Sequence, residues 1–179
     1  MARSIVMVGL MGAGKSSIGR RLATRLNMPF VDADTEIEAA AGCTIAEFFE
    51  RHGEAEFRDG ERRVIARLLE DEPKVLATGG GAFMDAETRA AIADAGISVW
   101  LRADLDTLVR RTSRRTDRPL LNTGDPTNTL ESLMETRHPV YAQADIVVES
   151  NDGPPDATVE RVVEALAAFK DRTEASPAK

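Results

Sequence analysis

Short apolar runs alternate with stretches of helical periodicity along most of the chain. Ile5–Val8 reads as a strand, Lys15–Leu26 as a helix, Pro29–Val31 as a strand, Asp34 to about Asp71 as helices and Val75–Ala77 as a strand. Beyond a run of three glycines, Thr88–Ala95 reads as a helix closed by Gly96, Ile97–Leu101 as a strand and Asp104–Thr112 as a helix. A helix near Leu130–Arg137, a strand at Ile146–Val148 and a helix at Val159–Lys170 complete the order. The five strands are short and continuously apolar, as strands are when helices cover both faces of their sheet. The expected fold class is therefore α/β, with a parallel sheet.

Polar positions punctuate this pattern. Thr44-Ile45-Ala46-Glu47 has the spacing of a capping box, in which the threonine hydroxyl and the glutamate carboxylate satisfy each other's backbone N–H at a helix start. Ser113–Asn128 holds glycine, two prolines, asparagine and threonine with little periodicity, and a loop that long in a compact domain is usually a functional lid or disordered. Asn151-Asp152-Gly153-Pro154-Pro155 forms a second loop after the last strand, and residues from about Arg172 to Lys179 read as a frayed tail.

At 179 residues the chain fits one domain able to bury a full core without a metal or a disulfide. Cys43 is the only cysteine, which fits a reducing compartment, and it reads as a small, partly buried residue. A net charge of −7 argues against a general nucleic-acid-binding surface. No apolar stretch approaches the length of a membrane span, and the N-terminal apolar run is too short for a signal peptide. A soluble cytoplasmic protein with no nucleic-acid or membrane partner is expected.

Chemistry enters directly after the first strand. Gly9-Leu10-Met11-Gly12-Ala13-Gly14-Lys15-Ser16 matches the G-x-x-x-x-G-K-[ST] phosphate loop. Its glycines let backbone N–H groups turn toward an anion, Lys15 reaches the β/γ-phosphates, Ser16 can ligate Mg²⁺, and the following helix adds its positive end. In a parallel sheet, ligands gather at the carboxyl ends of the strands, where the other polar clusters also fall. The second strand ends in Asp32-Ala33-Asp34, two carboxylates placed on one side by the period-2 alternation of an extended segment. Asp32 is assigned to the metal site, whereas Asp34 reads equally well as a chemical group or as the N-cap of the next helix. The third strand ends in Thr78-Gly79-Gly80-Gly81, where missing side chains invite a close approach. Arg110, Arg111, Arg114, Arg115 and Arg118 crowd a short stretch of an acidic chain; Arg114 and Arg115 read as a solvated face, and Arg118 as a lid residue over a transferring phosphoryl group. Arg58 and Arg137 either clamp an anion or pair within their own helices, Arg58 with Glu54 and Glu61.

Taken in order, these residues resemble the shikimate kinases, small phosphate-loop kinases. The likeness runs over roughly residues 4–155: Gly9 to Gly19; Phe30-Val31-Asp32-Ala33-Asp34; Gly42, Ile45, Phe48, Gly53-Glu54, Phe57-Arg58 and Glu61; Thr78 to Ala82; Arg118-Pro119-Leu120-Leu121; and Arg137-His138-Pro139-Val140-Tyr141. The resemblance implies a P-loop NTPase-like, five-stranded parallel sheet flanked by helices in a single domain spanning residues 1–171, with a helical substrate-binding segment near 34–61, a mobile lid near 113–126 and a flexible tail at 172–179. It implies shikimate contacts at Asp34, Arg58, Arg137 and the Gly79, Gly80 and Gly81 backbone, in a pocket shaped by Phe49, Phe57 and Glu61. ATP would meet Gly12, Ala13, Gly14, Lys15, Ser16 and Ser17, with Arg118 on the lid. Adenine would lie between Arg111, with Arg110 nearby, and the loop ending at Pro155, although Asp152-Gly153 stands where many members carry basic residues. Mg²⁺ would sit on Ser16, with Asp32 acting through water.

The implied activity is transfer of the γ-phosphoryl group of MgATP to the 3-hydroxyl of shikimate in aromatic amino-acid biosynthesis. Asp34 would act as base, and Lys15 and Arg118 would stabilise charge on the phosphoryl oxygens. Two other readings stay open: another small-molecule kinase, for gluconate or a nucleoside monophosphate, and a non-catalytic nucleotide switch.

Overall fold

Every residue of the first strand, β1 (Ser4–Val8), is buried, because it is the middle of a five-stranded sheet with helices on both sides. The other strands are β2 (Phe30–Asp32), β3 (Val75–Ala77), β4 (Gly96–Arg102) and β5 (Ile146–Glu149), in the spatial order β2-β3-β1-β4-β5. All neighbours are parallel, and Val6 lies in register between Leu76 and Ser98. This computed structural model describes residues 2–113, 125–150 and 152–175. Arg114, Arg115, Arg118, Pro119-Leu120-Leu121, Asn151 and the last four residues, and with them most of the expected lid, lie outside the described residues.

The helices are α1 (Lys15–Leu26), α2 (Ala33–Ala41), α3 (Ile45–Glu70), α4 (Ala86–Ala95), α5 (Leu105–Thr112), α6 (Pro126–Tyr141) and α7 (Pro155–Ala175). Right-handed crossovers place α1 on one face of the sheet and α3 and α4 on the other. Consistent with this, α1 packs against α7 and α3 against α4. Leu22 of α1, Val162 of α7 and Ile65 of α3 are fully buried in the core, and burial of such a side chain stabilises by about 1.5–3 kcal/mol. Among the described residues no helix is long and apolar enough to cross a membrane.

The five strands and their helices stand as expected, and the differences lie at their ends. β5 is an edge strand, so its burial alternates and Val147 is exposed, where a continuously covered strand was expected. Gly96 both closes α4 and opens β4, in an extended conformation. Ser113 is the C-cap of α5, and α6 begins at Pro126 behind an Asp125 cap, so both ends of the stretch expected to form the lid belong to helix boundaries. α7 starts at Pro155 and runs to Ala175, which makes residues 172–175 helical where a tail was expected. The Thr44 half of the capping box forms, its hydroxyl accepting from Glu47 N–H at 3.2 Å, and Glu38 of α2 accepts from the next N–H, that of Ile45, at 2.9 Å.

Candidate active site

The loops leaving the C-terminal ends of β1, β2, β3 and β5, together with α5, enclose a cleft of about 540 Å³. The phosphate loop forms its floor. Gly14 is the N-cap of α1 with φ +97°, a left-handed torsion that disfavours any side chain, and the loop closes on itself through Ala13 N–H to Leu10 O at 3.1 Å. Lys15 Nζ donates to the carbonyls of Gly9 and Leu10 at 2.7 and 2.9 Å. Ser16 Oγ donates to Asp32 Oδ2 at 2.7 Å, bringing the expected metal-site pair together.

Asp32, rather than Asp34, is the helix cap. Its Oδ1 accepts from the backbone N–H of Asp34 at 3.0 Å and of Thr35 at 3.4 Å, so the second strand stops at Asp32 and α2 starts one residue later. The expected extended alternation therefore fails: Asp34 reaches the cleft from the first turn of a helix. Its side chain lies against Gly79, where a Cβ would stand 2.9 Å from Oδ1.

Both arginines expected to clamp an anion meet the triple glycine. Arg137 is buried, with Nη1 2.8 Å from where a Gly80 Cβ would be, and the Arg58 guanidinium lies on Gly81. The helical ion pairs of Arg58 form as well: Nη1 donates to Glu61 at 2.8 Å, and Nη2 stands 3.6 Å from Glu54. The two alternatives are thus compatible, since Glu61 holds Arg58 while the guanidinium faces the turn. Glu61 is itself buried; burial pushes its carboxyl above the usual range, and the neighbouring Arg58 pulls it back down. The Phe49 and Phe57 rings, 4.6 Å apart, back this corner.

At the other end of the cleft, Arg111 Nη1 donates to the carbonyls of Gly12 and Ala13 and to Ser150 Oγ, at 3.1, 3.3 and 3.1 Å. Arg110 pairs with Asp152, so the acidic residue that departs from the family pattern has a basic partner beside it. Gly12, Gly14, Lys15, Ser16, Ser17, Asp32, Asp34, Gly79, Gly80, Arg111 and Pro155 line the cleft. Ala13, Arg58, Gly81 and Arg137 are not among the lining residues; Arg58 and Arg137 lie against the glycine turn, on Gly81 and Gly80.

Ser150 and Tyr141 are among the residues at the site that sequence reasoning leaves without a role. Ser150, just past β5, donates through Oγ to Ala13 O at 2.6 Å and ties the last strand to the phosphate loop. Its position at a strand's carboxyl end was the available signal. Tyr141 is wholly buried, donates through its hydroxyl to Gly80 O and lies beside the Arg137 guanidinium. Burial pushes that hydroxyl up to about 12, which keeps it protonated. Being the chain's only tyrosine, in a buried register of α6, was the signal there.

A family model described as shikimate kinase matches residues 11–167. A shikimate kinase of Bradyrhizobium diazoefficiens is 64% identical over 93% of this chain and 81% of its own, and one of Paramagnetospirillum magneticum is 60% identical over 96% and 88%. Among solved structures, a shikimate kinase from Acinetobacter baumannii in complex with shikimate superposes with a TM-score of 0.91 at 37% identity, covering 95% of this chain and 96% of the other.

Proposed function

This chain belongs to the shikimate kinase family, and on that premise we propose how its own residues carry the transfer of a phosphoryl group from MgATP to the 3-hydroxyl of shikimate, yielding shikimate 3-phosphate and ADP for aromatic amino-acid biosynthesis. The observation that carries the reading is the meeting of Asp34, Arg137 and Arg58 on one glycine turn beside the phosphate loop.

Arg58 and Arg137 offer planar, permanently charged donors to the shikimate carboxylate, with the Gly79–Gly81 backbone beside them. Asp34 orients the acceptor hydroxyl and takes its proton as that oxygen bonds to phosphorus and the bond between the γ-phosphorus and the β-phosphate oxygen breaks. Lys15, together with the phosphate-loop N–H groups from Gly12 to Ser17, holds the phosphates and offsets their charge. Arg111 and Pro155, at the far end of the cleft, flank the adenine. Arg118, assigned from its sequence context alone, supplies further positive charge from the lid.

Ser16 and Asp32 suit Mg²⁺: both offer hard oxygen donors, and their 2.7 Å hydrogen bond places them side by side at the phosphate loop. When bound, the ion would neutralise charge on the phosphate oxygens. The remaining positions suit phosphate and water, as Mg²⁺ prefers. The reading has the chain work as a cytoplasmic monomer in which residues 34–61 hold the acceptor.

Coupled ADP release measured with shikimate, gluconate and nucleoside monophosphates tests the assignment, and turnover with shikimate alone is expected. Asp34→Asn should lower kcat by about a hundredfold or more with little change in ATP affinity. Arg58→Ala should chiefly raise the KM for shikimate, by about ten- to a hundredfold. Full activity of Asp34→Asn removes the base, and an unchanged KM leaves Arg58 to its ion pairs.

A further inference from the structure

We propose that the triple glycine is a steric template in which each missing side chain seats one group of the acceptor site: Gly79 seats Asp34, Gly80 seats Arg137, and Gly81 seats Arg58. The proposal rests on the roles given above to those three side chains, and it assigns the glycines a positioning task distinct from any hydrogen bond their backbone makes to the substrate.

Torsion does not demand glycine here. None of the three has a positive φ, and Gly81 lies at φ −89°, ψ −10°, which any residue adopts. Space does demand it. A Cβ on Gly79 would stand 2.9 Å from Asp34 Oδ1 and 3.3 Å from Glu61 Oε2, and one on Gly80 would stand 2.8 Å from Arg137 Nη1. One on Gly81 would press into the Arg58 guanidinium itself, against Cζ and both Nη atoms.

The turn is also held from behind and has little room to retreat. Thr78 is bound to Met7 O through both its N–H at 3.2 Å and its hydroxyl at 2.8 Å. Tyr141 grips Gly80 O, and Ala82 N–H and Met84 N–H close back onto the carbonyls of Gly79 and Gly81, each at 3.2 Å. An added methyl group is therefore accommodated by the flexible far ends of the arginines and the aspartate. Displacing them costs the fold little and moves the groups that meet the substrate.

Double-mutant cycles on the full chain separate this from a backbone role. Shikimate dissociation constants by calorimetry, kcat, and thermal unfolding are measured for Gly81→Ala with Arg58→Ala, Gly80→Ala with Arg137→Ala, and Gly79→Ala with Asp34→Ala. Gly81→Ala and Gly80→Ala are each expected to weaken shikimate binding by about ten- to a hundredfold, the loss of one charge-assisted contact, with ATP affinity within about twofold. Gly79→Ala is expected to lower kcat instead. The decisive result is non-additivity: once the seated side chain is gone, the alanine adds no further loss. If alanine costs the same whether or not its partner is present, the glycines act through their backbone and the template is wrong. If Gly81→Ala unfolds the chain, Arg58→Ala should restore folding; unfolding in both backgrounds also overturns the proposal. Unchanged shikimate binding in Arg58→Ala and Arg137→Ala would be a failure of the functional reading instead.

Discussion

Tyr141 has no exposed surface, and its hydroxyl donates to Gly80 O in the acceptor corner, beside Arg137. Tyr141→Phe keeps the ring and removes that hydrogen bond, leaving the part-buried Gly80 carbonyl short of a donor. The expected cost is about 1–2 kcal/mol of stability by urea unfolding, together with a several-fold higher KM for shikimate and an unchanged KM for ATP. With the hydroxyl held up to about 12, the wild-type activity profile should carry no limb from this residue below about pH 10. At this scale the chain was legible where a residue acts with its sequence neighbours, as in the phosphate loop, where Gly12 to Ser17 follow one another. Asp32 and Asp34 were harder, because which one caps α2 depends on where β2 stops, and β2 ends where its pairing with β3 ends. Arg58 reads from sequence as either an ion pair or a clamp, and the fold gives it the Glu61 pair while setting its guanidinium against Gly81, a contact between distant parts of the chain that no local pattern shows.

Between the elements, the join of α3 to α4 carries a strong charge pair. Asp85 caps α4 by accepting from Thr88 N–H at 2.8 Å and takes Arg62 of α3 on both carboxylate oxygens, each at 2.9 Å. Hydrogen bonds from Arg62, helped by Thr88, lower its carboxyl to about 2. Since the folded value lies below the unfolded one, near 3.8, the stabilisation is complete above that pH and is lost as pH falls toward about 2. Asp85→Asn should cost about 1 kcal/mol at neutral pH, solvent screening of this part-exposed pair reducing its worth, and the gap to wild type in urea unfolding should narrow as pH falls from about 4 and close below about pH 2. Gly53 is another such joint: with φ +81° it bends α3 between the part bearing Phe48 and the part bearing Arg58, Glu61 and the core residue Ile65. Continuous helical periodicity over residues 45–70 concealed that bend, because a single non-helical residue barely disturbs the spacing on either side of it.

Across the whole molecule, the cost of truncating a side chain should follow its burial. Leu22 of α1 is wholly buried, and Leu22→Ala should lower unfolding free energy by about 2–5 kcal/mol, whereas Val147→Ala on the outer side of β5 should change it by less than about 0.5 kcal/mol. Urea titrations of the two variants measure the contrast. The amino-acid order by itself determined the α/β class, the five strands, the helices between them and the phosphate loop, because hydrophobic period, caps and a continuous motif are properties of neighbouring residues. Only the tertiary structure decided the strand order, the exposed face of β5, and the meeting of Asp34, Arg58, Arg137 and Tyr141 around one glycine turn. The physical reason is separation along the chain. Tyr141 and Gly80 stand 61 positions apart, and nothing in either local pattern encodes which strand ends will lie side by side once the sheet has chosen its pairings.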